Sequence, residues 1–223
     1  MHKFVVALVV SSVTSISGAG EVTLLAGISK FQPHDAGTWW AEGPEFPHEL
    51  RMTGQALGIR YDTVKIDKVS YSVGFLNLGD VSSSAVASGI DGPTNHGYSP
   101  ELKTCINGCG YLSHWYGTGN VRGMFATRVN HFGDFAIEYG VYIYKPTWQV
   151  HIPDWRGICQ ECPTIDLTVT HNPKLQPTPM LGVRYRKGPW SFNLSTMQTQ
   201  SYGDEWISLY MGLAYNLTVG FTF

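Results

Sequence analysis

The sequence is poor in charged residues and has no long apolar run. Only 14% of its residues are charged, against about 25% in an ordinary soluble domain. No stretch reaches the roughly 20 consecutive apolar residues that a membrane-spanning helix needs. These shortages argue against a typical soluble domain and against a helical membrane protein. The net charge of −2 does not point to a partner, and nothing in the sequence suggests nucleic acid.

Aromatic side chains and glycine are abundant instead. Aromatic residues make up 13% of the chain, which also carries 25 glycines. This composition fits β-strands whose two faces meet different surroundings, lipid on one side and a polar lumen on the other. It favours a β-barrel that crosses a membrane.

The amino terminus has the pattern of a secretory signal peptide. A basic start at Lys3 precedes an apolar run over residues 4–10, and small residues lead to Ala19. We therefore expect cleavage after Ala19, so that residues 1–19 form the signal peptide and residues 20–223 form one barrel domain. No cysteine lies near the cleavage point, so a lipid-anchored amino terminus is not expected.

In the carboxyl-terminal segment from Ile207 to Phe223, every second residue is apolar, and most of the residues between them are small or polar. Alternation of this length predicts a strand with one face in an apolar medium, since successive side chains point to opposite faces. The segment resembles the terminal strand by which outer-membrane barrels are recognised by the barrel-assembly machinery. The candidate insertion signal consists of Tyr215, Leu217, Val219, Phe221 and Phe223.

Shorter alternating segments predict further strands, and the connections between them alternate between short and long. The predicted strands are residues 22–31, 52–61, 69–78, 121–130, 135–144, 180–186, 190–199 and 207–223. The long connections are residues 32–50, 79–118 and 148–176. The sequence thus predicts an all-β fold, an antiparallel up-and-down eight-stranded transmembrane β-barrel with short periplasmic turns and long extracellular loops.

Tryptophans near predicted strand ends support this placement, because indole rings favour membrane interfaces. Those near outer ends are Trp39, Trp40, Trp115, Trp148, Trp155 and Trp206, and Trp190 lies at a periplasmic end. The alternative is a soluble periplasmic β-sandwich with tryptophans in its core.

Several charged residues are assigned to the lumen by their strand positions. They are Arg60, Arg122, Arg128, Glu138, Arg184 and Arg186. A lumen of eight strands is only just wide enough for side chains to fill it. We therefore expect Glu138 to bridge neighbouring arginines in a packed polar network rather than in a pore.

Four cysteines fall in the two longest predicted loops, as Cys105 with Cys109 and Cys159 with Cys162. In an oxidising compartment these are disulfide candidates, and four cysteines allow three connectivities. The alternative is a zinc site, since the second pair has C-x-x-C spacing and histidines lie in the same loops. Disulfides are favoured because an extracellular thiolate cluster would oxidise, so no metal and no cofactor are expected.

Histidines in the predicted loops allow a catalytic alternative. They are His34, His48, His96, His114, His151 and His171. One of them could act as a general base above an outer-leaflet lipid, with a carboxylate from Asp80 or Asp91 and a serine among residues 82–84. The candidate set is His48, Asp80 and Ser82, although their spacing does not single out a catalytic pair.

The whole mature chain resembles the small eight-stranded outer-membrane barrels, which include adhesion and envelope-stability barrels and lipid A palmitoyltransferases. The hairpin at residues 179–192 is similar to one of the palmitoyltransferase family. That resemblance implies a lipid A acceptor, a phospholipid donor, catalytic residues at the outer rim, and prolines such as Pro33, Pro177 and Pro179 that interrupt strand pairing. An arginine-rich lumen differs from that family's apolar acyl pocket, which argues against the activity.

The leading hypothesis is therefore a non-enzymatic outer-membrane barrel of a Gram-negative envelope. It would display disulfide-constrained extracellular loops for surface recognition or envelope protection. Its partners would be outer-membrane lipid, lipopolysaccharide, the barrel-assembly machinery and an extracellular ligand that the sequence does not name. The alternative is a lipid A-modifying acyltransferase or hydrolase that acts at the outer leaflet.

Overall fold

A computed structural model describes residues 20–33, 48–91, 109–158, 164–171, 174–199 and 211–223. The expected signal peptide lies outside these residues. The strands are β1 (Glu21–Pro33), β2 (His48–Arg51), β3 (Thr53–Asp62), β4 (Val69–Asp91), β5 (Cys109–Phe132), β6 (Phe135–Ile158), β7 (Thr164–His171), β8 (Gln176–Lys187), β9 (Trp190–Gln198) and β10 (Met211–Thr222). None of the described residues belongs to a helix long and apolar enough to cross a membrane.

Eight of these strands form a closed antiparallel ring, in the order β1, β3, β4, β5, β6, β8, β9, β10. The ring is sealed by pairing between β1 and β10, which runs from Thr23 opposite Thr222 to Pro33 opposite Met211. The short strands β2 and β7 pair with β4 and β6 above the ring. The predicted all-β, eight-stranded antiparallel barrel is confirmed.

Tight turns close one end of the barrel, which we call the lower end. Gly133 and Gly188 have φ values of 67° and 61° and occupy the first central position of two-residue turns between β5 and β6 and between β8 and β9. Glycine at that position is typical of a type II′ hairpin turn, whose twist matches that of the strands. The opposite, upper end carries the longer connections.

Three strands extend much further than the sequence predicted, since β4 spans 23 residues and β5 and β6 span 24 each. The described parts of the predicted connections 79–118 and 148–176 are therefore largely paired strand. We call residues 80–91, 109–120 and 147–158, together with β2 and β7, the raised sheet. Its outward positions carry small or polar residues such as Ser82 and Thr118, so the alternation that marks the lower strands is weak in this part of the sequence.

A β-bulge in β4 marks the base of the raised sheet. Pairing between β4 and β5 shifts between Asn77 and Asp80, and Gly79 adopts a φ of 83°. A side chain at Gly79 would collide with the backbone of Gln55. Glycine therefore permits the bend at which β4 leaves β3 and continues beside β2.

The barrel interior has two zones. Its lower part is polar, whereas its upper part holds a cluster of buried apolar side chains. This upper core consists of Phe31, Met52, Leu76, Leu78, Val81, Val121, Phe125, Tyr142, Tyr144, Trp148, Val150, Ile152, Met180, Met197 and Ala214. The buried arginines thus occupy only the lower half of the lumen, whereas the sequence predicted an arginine-rich lumen without an apolar half.

The outer surface carries an apolar belt to which every strand of the ring contributes, and whose side chains are 37% to 61% exposed. The belt consists of Val22, Leu24, Ile28, Leu57, Ile59, Tyr71, Phe75, Met124, Phe132, Phe135, Ile137, Tyr139, Val141, Ile143, Leu181, Val183, Trp190, Phe192, Leu194, Tyr215, Leu217, Val219 and Phe221. Soluble monomers rarely expose a continuous apolar surface of this extent.

Candidate functional site

The lower lumen is built around four buried charges. Arg60 Nε lies 2.9 Å from Asp62 Oδ2, and Arg184 Nη1 lies 3.0 Å from Asp62 Oδ1. Glu138 pairs with Arg184 and lies 3.9 Å from Arg60. Each of the four side chains is at most 8% exposed. Two positive and two negative groups thus compensate one another inside the barrel.

Neutral side chains complete the hydrogen bonding of this network. Arg60 donates to Asn193 Oδ1 at 2.8 Å and to Ser191 Oγ at 3.4 Å. Ser72 donates to Asp62 and accepts from Arg184 Nη2 at 3.2 Å. Such partners offset the cost of taking charges out of water. The arrangement is a packed plug whose charges have fixed partners.

The other three predicted lumen arginines do not join this network. Arg122 and Arg128 are on the outer surface, because β5 turns Val121, Phe125 and Val129 inward. The charged residues of β5 therefore do not face the lumen, which corrects the sequence assignment. Arg186 lies at the lower mouth, 38% exposed, where it pairs with Glu21.

A cavity of about 470 Å³ opens at the lower mouth and ends at the network. Acidic and basic side chains line it, among them Glu21, Lys65, Asp134 and Arg186. On the far side of the network, between Arg60 and Leu76, lies a void of only about 20 Å³. In the described part of the barrel, the network thus separates the lower mouth from the apolar upper core.

Trp148 is the largest buried side chain of the upper core, with 2% exposure. The prediction that it lies at an interface is wrong, because β6 turns its ring inward. Gly117 and Gly119 on the neighbouring strand leave the space that the ring fills, since an added side chain at either position would collide with it. The indole N–H and the nearby Ser83 hydroxyl have no hydrogen-bond partner among the residues that the structure describes. Trp190 is 50% exposed at the lower end.

The raised sheet turns a polar face outward and an apolar face inward. On its outer face, His151 Nε2 lies 3.0 Å from Asp166 Oδ1, joining β6 to β7. On its inner face, Val81, Val150 and Ile152 are buried. The sheet therefore extends the barrel wall above the belt as a two-faced layer.

The candidate catalytic residues are not joined by any contact that the structure describes. His48 pairs with Ala85, three residues beyond Ser82 on β4, and its side chain lies outside the described part. Asp80 Oδ1 accepts a hydrogen bond from Asn120 at 2.7 Å. Of the cysteines, only the backbone of Cys109 is described, at the start of β5 opposite Asp91.

Two functional features were missed in the sequence. Asp62 bridges Arg60 and Arg184, and its position two residues after Arg60 on one strand face was the available signal. The fit of Trp148 against Gly117 and Gly119 had no such signal, because it depends on the register between β5 and β6.

Solved structures of Ail, the attachment invasion locus protein of Yersinia pestis, are similar to this chain. Its complex with the heparin analogue sucrose octasulfate matches with a TM-score of 0.47 at 10% identity, over 92% of this chain and 100% of Ail. A second Ail structure matches with a TM-score of 0.46 at 10% identity, over the same shares of both chains. No protein-family model and no curated protein matches the chain.

Proposed function

We propose that this chain is an integral outer-membrane β-barrel of a Gram-negative envelope, exported with a cleaved signal peptide. The apolar belt carries the proposal, because only a lipid surrounding would cover it all round the closed ring. The tight turns would then face the periplasm and the raised sheet would face outward.

The height of the belt supports this placement. On β5 the outward residues from Arg122 to Phe132 span ten positions. At about 3.4 Å per residue and a tilt of about 40°, this is roughly 25 Å along the membrane normal, the height of the apolar band of outer-membrane barrels. Aromatic rings gather at its lower edge, where Trp190 and Phe221 have centroids 4.9 Å apart and Phe221 and Phe223 have centroids 5.2 Å apart.

A single charge placed in the belt tests the membrane placement. Leu194 is 53% exposed in the belt on β9, so Leu194→Arg is expected to lower the free energy of unfolding from bilayers by about 2–4 kcal/mol. The measurement is urea unfolding in lipid vesicles. Gln198→Arg, at the exposed upper end of the same strand, is the matched control and is expected to cost about 1 kcal/mol or less.

Electrophoresis gives an independent check. Folded outer-membrane barrels resist detergent, so unboiled and boiled samples should migrate differently, and deletion of Phe223 should abolish the folded band in membranes. If the protein is freely soluble and shows no shift in mobility, and if both arginine variants show equally small losses of stability, the proposed membrane placement is wrong and the chain is a soluble protein.

We further propose that the raised sheet serves surface recognition or envelope protection without catalysis. Twelve residues of each of the three long strands β4, β5 and β6 lie above the bulge, at 80–91, 109–120 and 147–158. At about 3.3 Å per residue the sheet would stand tens of ångströms above the belt. In the described part, β2 and β7 pair on one side only, so their free edges could accept a partner strand.

A shortened hairpin tests this role. Ser84 pairs with Tyr116, so removing the residues between them and inserting a tight turn would keep the register of the barrel. Cells that express the wild type are expected to adhere better to host cell layers, or to survive better in bile salts, than cells without the protein. Cells that express the shortened variant should lose this gain, although the variant itself remains heat-modifiable. No gain with the wild type in either assay would reject the role.

The four cysteines are proposed to form disulfides that constrain the outer connections. Gly110 pairs with Ile158, and these residues directly follow Cys109 and directly precede Cys159. This register favours a Cys109–Cys159 link between the two connections, with Cys105 and Cys162 as the second pair. Non-reducing peptide mapping is expected to recover the linked peptides, whereas links within each connection would contradict the assignment.

Lipopolysaccharide is the proposed lipid partner at the upper edge of the belt. Arg122 and Lys145 face each other across β5 and β6 on the outer surface. Like charges directly opposite are unfavourable unless an anion lies between them. Phosphate groups of outer-leaflet lipid would supply that anion.

Lipid A modification is the second candidate function, and the apolar upper core favours it. Pro177 and Pro179 lie beside this core on β8, opposite Ile143 and Val141 on β6. Because proline has no backbone N–H group, it cannot donate a hydrogen bond to the pairing between strands. Expression of the wild type and of a His48→Ala, Ser82→Ala variant, followed by lipid A mass spectrometry, decides between the candidates. The leading proposal expects no mass change, and an acyl gain or loss that the variant abolishes would overturn it.

A further inference from the structure

Arg128 is a charged side chain within the apolar belt. It is exposed on the outer face of β5 and lies directly across from Tyr71 on β4 and from Tyr139 on β6. The next outward positions are the small Ala126 above and Asn130 below. Belt positions on the other strands at this level carry apolar or aromatic residues, so the arginine interrupts an otherwise lipid-compatible surface.

No carboxylate of the described chain can neutralise Arg128. The acidic side chains described outside the buried network lie away from this level: Glu21, Asp67 and Asp134 at the lower end, and Asp80 and Asp166 in the raised sheet. Arg128 makes no ion pair with any of them. A second copy of this barrel packed against β5 would likewise bring no described carboxylate to this height. The described residues therefore supply no counter-charge for Arg128 at this height.

The depth of Arg128 indicates where that counter-charge lies. Arg128 stands four residues above Phe132 on β5, which corresponds to about 10 Å along the membrane normal. This places it in the periplasmic half of the belt. Long arginine side chains extend toward the nearer interface to keep the charge hydrated or paired.

We propose that Arg128, Tyr71 and Tyr139 form a binding site for the phosphate of an anionic phospholipid in the inner leaflet. Guanidinium N–H groups make paired hydrogen bonds to phosphate oxygens. The two tyrosine hydroxyls are further donors on either side, and neither is engaged by a described side chain. Ala126 leaves room above the arginine for the first acyl carbons of the bound lipid. This inference depends on the proposed membrane placement.

The test compares Arg128→Leu with the wild type in two kinds of vesicle, one of phosphatidylcholine alone and one with added phosphatidylglycerol. In phosphatidylcholine, removal of the charge is expected to raise the folding equilibrium constant at least tenfold, because the belt is relieved of an unpaired cation. With phosphatidylglycerol, the gain should fall below threefold or reverse. Tyr71→Phe, Tyr139→Phe should weaken the lipid dependence while the cation remains.

Lys187→Gln is the matched control, because it removes one positive charge from an exposed turn below the belt. It should show no comparable dependence on phosphatidylglycerol. Native mass spectrometry should also find phosphatidylglycerol retained by the wild type and by Lys187→Gln, but lost from Arg128→Leu. An equal gain for Arg128→Leu in both vesicles, or unchanged retention, would overturn the site. Failure of every variant to insert would instead overturn the membrane placement.

Discussion

Replacement of Arg184 by leucine is expected to destabilise the barrel by about 3–5 kcal/mol, since the change leaves a buried charge without its partner. Arg184 contacts Glu138 and lies 3.0 Å from Asp62, and all three side chains are at most 8% exposed. Without Arg184, two carboxylates would share the single remaining guanidinium of Arg60. Urea unfolding in vesicles, followed by tryptophan fluorescence, measures the loss.

The ion pair at the lower mouth provides the matched control. Arg186 and Glu21 are 38% and 44% exposed, so Arg186→Leu should cost about 1 kcal/mol or less. The double variant Arg184→Leu, Glu138→Leu removes one charge of each sign and leaves Arg60 paired with Asp62. It should therefore lose less than Arg184→Leu alone. Equal losses for Arg184→Leu and Arg186→Leu would show that the lumen network is hydrated and contributes little.

Truncation of Trp148 to alanine is the second large effect, with an expected loss of about 3–5 kcal/mol. The ring is buried and fills the space beside Gly117 and Gly119. Its removal would leave a cavity in the upper core that these glycines cannot fill. The same unfolding measurement detects the loss, and small apolar molecules could bind in the cavity.

Trp190→Ala is the appropriate comparison for Trp148→Ala, because both changes remove an indole but Trp190 is 50% exposed. It should cost less than half as much, since only part of the ring is shielded by protein. If Gly119→Ala costs nothing and Trp148→Ala costs no more than Trp190→Ala, the upper core is loosely packed. An acyl chain could then enter it more readily, which would favour the lipid-modifying candidate.

The closed barrel could be predicted because a strand with one apolar and one polar face has a strict period of two. In β10, large apolar residues such as Leu217 and Phe221 alternate with small or polar ones, and the structure exposes these apolar side chains. A shift of the strand by one residue would move every side chain to the opposite face. A long alternation therefore determines which residues face outward and which face the lumen. Arg60, Glu138 and Arg184 were assigned to the inner face by the same pattern.

The pattern failed on β5 because both of its faces carry apolar residues. Val121 and Phe125 face inward while Met124 faces outward, so hydrophobicity alone does not distinguish the two faces. The assumption that charge belongs in the lumen placed Arg122 and Arg128 on the wrong side. In a membrane, a basic side chain on the outer surface can pair with lipid phosphate. The assumption that every charge faces the lumen leaves this partner out.

The length of the raised sheet was missed for a different reason. Above the belt its outer face meets water, so Ser82, Thr118 and Gln149 are as acceptable as apolar residues, and the segment has the composition of a loop. Its strands are held by pairing with one another, and that register cannot be deduced from one strand at a time.

The pairing of β1 with β10 makes the wall of the barrel circular although the chain is linear. The hydroxyls of Thr23 and Thr222 lie 2.9 Å apart although the residues are 199 positions apart in sequence. Contacts between residues so far apart in sequence slow folding, because the chain between them must be closed before the contact can form. We therefore expect the seam between β1 and β10 to form last during assembly of the barrel.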